Sequence, residues 1–218
     1  MDLEIIKSIL VIVGIDIILG GDNAIVIAMA SRNLPSHQRN KAIFLGTGLA
    51  IVVRVMLTAV AVYLLAIPYL SLVGGLLLIF IAINLLTEQD EEIDIKGSTS
   101  LIKAVQTIVF ADFVMGFDNV LAIAGASKGN ILLVATGLLI SVPIIIWGSK
   151  LILALMERFS ILIYIGAGIL AYTASEMIVG EDYMADIFER IPKINVFLTI
   201  LIISFVIVAG YLINQKKK

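Results

Sequence analysis

The chain contains no cysteine, and proline, histidine and charged residues are all scarce. Its 218 residues include 4 prolines and 1 histidine, and charged residues make up 15% of it. The absence of cysteine excludes disulfide frameworks, thiolate metal sites and cysteine nucleophiles. With a net charge of −2 and no basic cluster other than Lys216-Lys217-Lys218, the sequence offers no basis for nucleic-acid binding. It also has no phosphate-binding loop motif and no Ser/His/Asp constellation, so we expect neither ATP-driven pumping nor enzymatic activity.

What the chain has instead is apolar residues. They make up 61% of it, and the mean hydropathy is +1.11, whereas soluble domains use roughly 45–50% apolar residues. A membrane-spanning helix needs about 20 mostly apolar residues. The composition therefore predicts an all-α, polytopic membrane protein that forms a single membrane domain over residues 1–218.

Seven apolar stretches are long enough to be spans: 5–30, 42–66, 69–87, 101–126, 131–153, 160–179 and 194–213. Alternating spans place ten basic residues on one side, namely Arg32, Arg39, Lys41, Lys96, Lys103, Lys150, Arg158 and Lys216-Lys217-Lys218. The other side receives four: Lys7, Lys128, Arg190 and Lys193. Because basic residues concentrate in the cytoplasm, this count predicts an outside N-terminus and a cytoplasmic C-terminus.

The first and fourth stretches carry the same motif. Residues 15–24 read IDIILGGDNA and residues 111–120 read ADFVMGFDNV, at a constant offset of 96 positions. The identical pairs are Asp16/Asp112, Gly20/Gly116, Asp22/Asp118 and Asn23/Asn119. A weaker match, TGL at 47–49 with TGL at 136–138, places Pro143 opposite Arg54. We interpret the chain as an internal repeat.

An odd number of helices in each copy makes the second copy cross the membrane in the opposite direction. The predicted fold has two inverted three-helix repeats, over 5–87 and 101–179, and one extra helix, the seventh, at 194–213. An acidic cytoplasmic connector at 88–100 joins the repeats. Secondary transporters often have this design, with the substrate site at the repeat interface near the midplane.

Aspartates deep in a span cost about 2.5–3.5 kcal/mol each if they face lipid. Asp16 and Asp22 lie about 120° apart around an unbroken helix, so they share a site only if the helix breaks. We therefore expect a break at Gly20-Gly21 and at Gly116, with freed carbonyls near both and with the Asp-Asn pairs capping the half-helices that follow. Inversion should bring Asp16 to the depth of Asp118, and Asp22 to that of Asp112.

Carboxylate, amide and carbonyl oxygens without cysteine or nearby histidine favour a hard divalent ion, Mn²⁺, Mg²⁺ or Ca²⁺. The candidate metal ligands are Asp16, Asp22, Asn23, Asp112, Asp118 and Asn119. Arg54 is expected to neutralise a carboxylate, through contact with Asp22 or Asp112, when metal is absent; bundle packing and snorkelling are the alternatives. Glu176 is a candidate gate ligand or proton carrier, and placement at the membrane interface is its alternative.

The two Gly-x-Asp-Asn motifs, Gly20-Gly21-Asp22-Asn23 and Gly116-Phe117-Asp118-Asn119, resemble those of the TerC family of membrane proteins. The likeness extends over nearly the whole chain and is greatest to the short bacterial branch related to manganese exporters. It implies a seven-helix fold, Mn²⁺ efflux across the bacterial plasma membrane and, in some members, delivery of metal to secreted enzymes. Carried over by position, the acidic motif residues are Asp16, Asp22, Asp112 and Asp118.

Three functions remain as hypotheses. The first is export of a divalent cation, Mn²⁺ ahead of Ca²⁺ or Mg²⁺. The second is a membrane partner that hands metal to exported metalloenzymes without transporting it. The third is export of small organic or amino-acid cations, for which aromatic residues near the aspartates would be needed and only Phe113 and Phe117 are evident. The predicted partners are thus a divalent cation and the lipid bilayer, with a homo-oligomer left open.

Overall fold

The computed structural model describes residues 3–60, 67–87, 97–127, 130–181 and 193–216, with the side chains of 3, 4, 19, 97–100, 117, 118 and 121 left out. Within these ranges all regular structure is helical. The helices are α1 (Leu3–Leu19), α2 (Gly21–Ser31), α3 (Ser36–Ala59), α4 (Leu70–Thr87), α5 (Gly97–Ser127), α6 (Ile131–Arg158), α7 (Ile161–Val179) and α8 (Ile194–Lys216). The all-α prediction is confirmed for the described residues.

The predicted break in the first copy is present. α1 ends at Leu19, α2 begins at Gly21, and the two helices meet at an angle of 51°. Gly20 is needed at the bend because a Cβ there would clash with the carbonyl oxygen of Asp16 and lie 3.1 Å from Nδ2 of Asn23. No side chain caps α2, however: its N-cap residue is Gly20, and Asp22 lies in the first turn, where the helix dipole favours a negative charge. The capping role predicted for Asp22-Asn23 is wrong.

The second copy is not broken, contrary to prediction. α5 runs as one helix of 31 residues through Gly116, so no freed carbonyl and no new half-helix arise there. A lone glycine costs a helix only about 1 kcal/mol relative to alanine, and the first copy differs by having two in succession. α5 also begins at Gly97, so residues 97–100 belong to this helix and not to the predicted connector. Connector residues 88–96 lie outside the described ranges.

Five of the helices, α3, α4, α6, α7 and α8, are long and apolar enough to cross a membrane. The bent pair α1–α2 makes a sixth candidate if it counts as one span. Segment 101–126 falls within α5, which is not among these candidates, so the count of seven spans stays a prediction. Many large apolar side chains on the helix surfaces are exposed, Leu132 (77%) and Trp147 (69%) among them, as expected of a bundle surrounded by lipid.

Helices of the first copy pair with helices of the second. α3 packs mainly on α5, α1 and α2 pack on α6, and α4 packs on α7. Two glycines permit the close approaches: a Cβ at Gly46 would lie 2.8 Å from Cδ1 of Ile108, and one at Gly137 would lie 2.5 Å from Cγ2 of Ile12. Ile12 and Ile108 are equivalent positions of the 96-residue repeat, so both copies use the same glycine–isoleucine contact.

Two apolar clusters extend this correspondence, and they correct the weaker alignment. Six pairs of equivalent residues are divided between the two clusters, with one member of each pair in each cluster: Ile12/Ile108, Ile27/Ile123, Ala30/Ala126, Ile43/Val134, Ile51/Val142 and Val55/Ile146. In α3 and α6 the offset is 91, the same as between Gly46 and Gly137, whereas the sequence match suggested 89. The packing therefore places Ile145, and not Pro143, opposite Arg54.

α8 lies outside the paired helices and packs on α7 and α4. Its Gly210 faces Leu86 so closely that a Cβ would clash with that side chain. Asn214 of α8 donates a hydrogen bond to the carbonyl of Leu86 (3.2 Å). At the other end of α4, the buried carboxylate of Glu181 accepts hydrogen bonds from the backbone N–H groups of Tyr69 (3.3 Å) and Leu72 (3.2 Å). These contacts fix both ends of α4.

Candidate functional site

Arg54 lies at the centre of the bundle, 3% exposed, and joins the two copies. Its Nη1 donates to Asp16 of α1 and its Nη2 donates to Asp112 of α5. Each carboxylate is almost fully buried, so neither is solvated by bulk water and each needs a counter-charge. One guanidinium therefore bridges two carboxylates that are equivalent in the repeat.

This contact corrects the predicted depths. Inversion was expected to place Asp16 level with Asp118, but the structure brings Asp16 to Asp112, which lies six residues, or about 9 Å along α5, before Asp118. The two aspartates are equivalent, so they meet where the two copies come together. The predicted contact between Arg54 and Asp112 is present.

A serine completes the surroundings of Asp16. The Ser141 hydroxyl of α6 donates to Oδ2 of Asp16, while Oδ1 accepts from Arg54. Both carboxylate oxygens of Asp16 are thus engaged. At the 91-residue offset the equivalent of Ser141 is Ala50, which carries no donor for Asp112. The paired aspartates consequently have unequal surroundings.

A small cavity of about 20 Å³ lies beside these groups. Its polar lining consists of Asp16, Asn23, Thr47, Arg54 and Asp112. Three of the polar groups, the Asn23 amide, the Thr47 hydroxyl and Nε of Arg54, are buried and find no hydrogen-bond partner among the described residues. A buried unpaired polar group costs about 1–3 kcal/mol, and this volume suffices for one water-sized species. The cavity is therefore suited to a single small polar guest.

Asp22 faces elsewhere despite the bend in the first span. Its Oδ2 accepts a hydrogen bond from Thr173 of α7 (3.1 Å). Its Oδ1 is buried and has no hydrogen-bond partner within the described ranges. Asp22 thus keeps one carboxylate oxygen available to a ligand. The bend turns Asn23, not Asp22, towards the cavity that Asp16 lines.

The remaining predicted residues are placed as follows. Asn119 is buried on α5, and the side chain of Asp118 lies outside the described part of the structure. Gly116 has Leu57 Cδ1 at 3.7 Å from a hypothetical Cβ, an ordinary contact. Glu176 is exposed on α7 and does not line the cavity beside Arg54. Among the described side chains no three of His, Cys, Asp or Glu come together as a ready metal site, because Arg54 lies between Asp16 and Asp112 and Asp22 faces α7.

Sequence reasoning missed three hydroxyl residues: Ser141, Thr47 and Thr173. Serine and threonine are ordinary in apolar spans, so composition did not single them out. Position was the available signal for two of them. Ser141 follows Gly137 by one helical turn and Thr47 is adjacent to Gly46, and these glycines mark where α6 and α3 approach the opposite copy. Thr173 has no such marker in the sequence.

One family model and several known membrane proteins match the chain. The family model described as "Integral membrane protein TerC family" matches residues 1–218. The "Uncharacterized membrane protein YjbE" of Bacillus subtilis is 50% identical over 218 residues, covering 100% of both chains. The "Uncharacterized membrane protein YkoY" of the same species is 24% identical over 75% of this chain and 59% of its own.

A third relative is much longer. The "UPF0053 inner membrane protein YoaE" of Escherichia coli is 31% identical over 145 residues, which cover 57% of this chain and 28% of that protein. The chain thus spans the whole of one relative and a little over a quarter of another. No solved structure matches it at a significant level.

Proposed function

The chain belongs to the TerC family of integral membrane proteins, and on that premise we propose that it is a secondary transporter exporting a divalent metal cation, Mn²⁺ ahead of Ca²⁺ or Mg²⁺. The observation that carries the proposal is the meeting of one carboxylate from each copy around a single buried cation, the guanidinium of Arg54. Burial of like charges from both copies is costly for a purely structural bundle. It is typical of an ion pathway.

The chemistry of the lining favours a metal ion. Among the apolar side chains of the cavity lie oxygen ligands, the Asp16 carboxylate and the side chains of Asn23 and Thr47, the last two without hydrogen-bond partners among the described residues. Hard divalent ions prefer such ligands. In this conformation the cavity of about 20 Å³ holds one water-sized species, which favours a metal ion over a larger amino-acid or organic cation. The preference for Mn²⁺ among the hard ions rests on the family resemblance.

We also propose the inverted arrangement, which the direction of the helix contacts supports. Along α3 and α5, Ala42 packs with Ala104 and, four residues on, Gly46 packs with Ile108, so these helices run the same way. α2 and α3 are joined by only residues 32–35, and helices joined by so short a loop run antiparallel. α5 would then run opposite to α1–α2, its counterpart in the repeat.

The proposed orientation in the bacterial plasma membrane follows from the basic residues, with the N-terminus outside and the C-terminus cytoplasmic. Since the chain has no cysteine, single cysteines placed at Asp2 and at Lys218 can be labelled on whole cells with an impermeant thiol reagent. We expect labelling of the first only. Labelling of both, or of the second only, contradicts this topology.

Flux in liposomes tests the function. Purified protein is reconstituted with a Mn²⁺-sensitive dye inside, and we expect Mn²⁺ entry above that of empty liposomes. Asp112→Asn should abolish most of it, whereas Glu157→Gln, a matched neutralisation of a half-exposed carboxylate far from Arg54, should not. Specific Mn²⁺ binding without flux would favour the metal-delivery hypothesis. If the protein shows no binding and no flux, both the transport and the metal-delivery hypotheses are refuted.

A further inference from the structure

The carboxylates at the centre of the bundle are already occupied by a cation that belongs to the protein. Oδ1 of Asp16 and Oδ1 of Asp112 both accept from Arg54, and Oδ2 of Asp16 accepts from Ser141. A divalent ion bound to Asp16 would need at least one of those oxygens at metal–ligand distance. A metal ion that binds either oxygen therefore competes with the donor that the oxygen already has.

Charge points to Arg54 as the contact that gives way. Asp16 and Asp112 together carry two negative charges, which one divalent ion neutralises. With the guanidinium also in place the buried group would be positively charged, and the two cations would repel each other across a few ångströms in a region poor in water. Ser141 is neutral and can keep its hydrogen bond to Asp16 in either case.

We infer that Arg54 and the transported divalent cation are alternative partners of the Asp16–Asp112 pair. This inference rests on the proposed transport of a divalent cation. In the empty protein the guanidinium bridges the two copies, and binding of the ion displaces it. The arginine thereby lowers the net charge of the two buried carboxylates from −2 to −1 during the return step of the empty transporter.

The paired packing of the copies offers an unusual test. Ile145 of α6 is the packing equivalent of Arg54 and lines the same cavity as Asp16 and Asp112. An arginine at 145 would therefore approach the same two carboxylates from the opposite copy. In the double variant Arg54→Ile/Ile145→Arg the competing charge is retained but moved to the other side of the cavity.

Four full-length proteins are compared in detergent: wild type, Arg54→Gln, Arg54→Lys and Arg54→Ile/Ile145→Arg. Mn²⁺ binding is measured from the electron paramagnetic resonance signal of free Mn²⁺. We expect Arg54→Gln to bind Mn²⁺ about tenfold more tightly than wild type. This change lies at the low end of the factors by which one ligand usually alters the affinity for another. Arg54→Lys, which keeps the charge, and the double variant should both bind within about threefold of wild type.

Two further readouts separate competition from a structural role. Arg54→Gln should be less stable than wild type without metal and should gain more thermal stability from saturating Mn²⁺ than wild type does. In liposomes it should turn over more slowly despite its tighter binding. If Arg54→Gln proves too unstable to purify without metal, purification in Mn²⁺ and the double variant still decide the matter.

The outcomes distinguish this inference from the proposed function. Weaker or unchanged Mn²⁺ binding by Arg54→Gln, with wild type binding and transporting Mn²⁺, overturns the exchange and leaves the transport proposal standing. A double variant that binds as tightly as Arg54→Gln also overturns it. Absence of Mn²⁺ binding in wild type and in Arg54→Gln alike refutes both.

Discussion

The two copies carry the same aspartate motif, yet their backbones differ around it. In the first copy the span bends by 51° at Gly20, whereas in the second copy α5 passes straight through the equivalent Gly116. The motif aspartates are identical, and one of the local differences is the second glycine, Gly21, where the other copy has Phe117. The duplicated aspartates therefore do not by themselves impose the bend.

A second difference concerns the polar residues around the cavity. The apolar clusters on the two sides are built from equivalent positions, but their polar neighbours are not. Arg54 stands opposite Ile145, Ser141 opposite Ala50, and Thr47 opposite Leu138. The comparison indicates that the packing scaffold is duplicated and that the chemistry is divided unequally between the copies, with one arginine for two aspartates.

The largest effect should come from the motif carboxylates themselves. Asp22→Asn and Asp118→Asn each keep the side-chain volume but remove the charge that attracts the cation, so each should lower Mn²⁺ affinity by more than about tenfold. If the copies contribute to one site, the double variant should be little worse than either single variant. Titration of the folded, purified proteins with Mn²⁺ checks this.

Unequal results would sharpen the comparison. A loss for Asp22→Asn with normal binding by Asp118→Asn would mean that the copy with the bend holds the ion alone. Independent and additive losses would indicate two separate sites. The Glu157→Gln protein serves as the control for neutralising a carboxylate elsewhere.

The second-largest effect should be a difference in stability between Gly20→Ala and Gly116→Ala. Gly20→Ala places a Cβ against the carbonyl of Asp16, where backbone must move, so it should cost about 2–3 kcal/mol of stability. Gly116→Ala meets only Leu57 at 3.7 Å and should stabilise the helix by up to about 1 kcal/mol. Reversible unfolding in mixed micelles measures both. Equal destabilisation by the two substitutions would show that α5 also has no room for a Cβ at this position.

These contrasts show what the sequence could and could not predict. The helical class, the membrane environment and the contact of Arg54 with Asp112 followed from hydropathy and from the cost of burying charge. The break at Gly20 was predicted from the angle of about 120° between Asp16 and Asp22 on an unbroken helix and from the glycines between them. The same argument failed at Gly116, because a single glycine only lowers helix preference and tertiary packing overrides so small a term.

Pairwise placement was the harder part. The match of TGL with TGL gave an offset of 89, but short apolar motifs recur by chance, and the contacts of Gly46 and Gly137 set it to 91. Only three-dimensional packing shows that Ile145 lies opposite Arg54. The same applies to Ser141 and Thr173, hydroxyls whose partners are more than 100 positions away in the chain.

A smaller, symmetric effect should come from the glycines at the helix crossings. Gly46→Ala and Gly137→Ala each force a methyl group against an isoleucine, at 2.8 Å and 2.5 Å respectively, and should each cost about 1–2 kcal/mol. Shortening the matched isoleucine should restore stability: Ile108→Ala for Gly46→Ala, and Ile12→Ala for Gly137→Ala. Unfolding curves of the crossed combinations are the control, since Ile12→Ala should not rescue Gly46→Ala. Rescue by the wrong partner would contradict the pairing of the copies.

The smallest effect should arise where the polar surroundings differ, at Ser141 and Ala50. Ser141→Ala removes the hydrogen bond to Oδ2 of Asp16, and in a membrane bundle such a bond contributes about 1 kcal/mol. Ala50→Ser should offer Asp112 the donor that it lacks and raise stability by a fraction of that amount. The double variant exchanges the arrangement between the copies, so its unfolding free energy should return to within about 0.5 kcal/mol of wild type. If it instead loses the full effect of Ser141→Ala, the two positions are not equivalent, and the unequal division of polar groups between the copies would have a different structural basis.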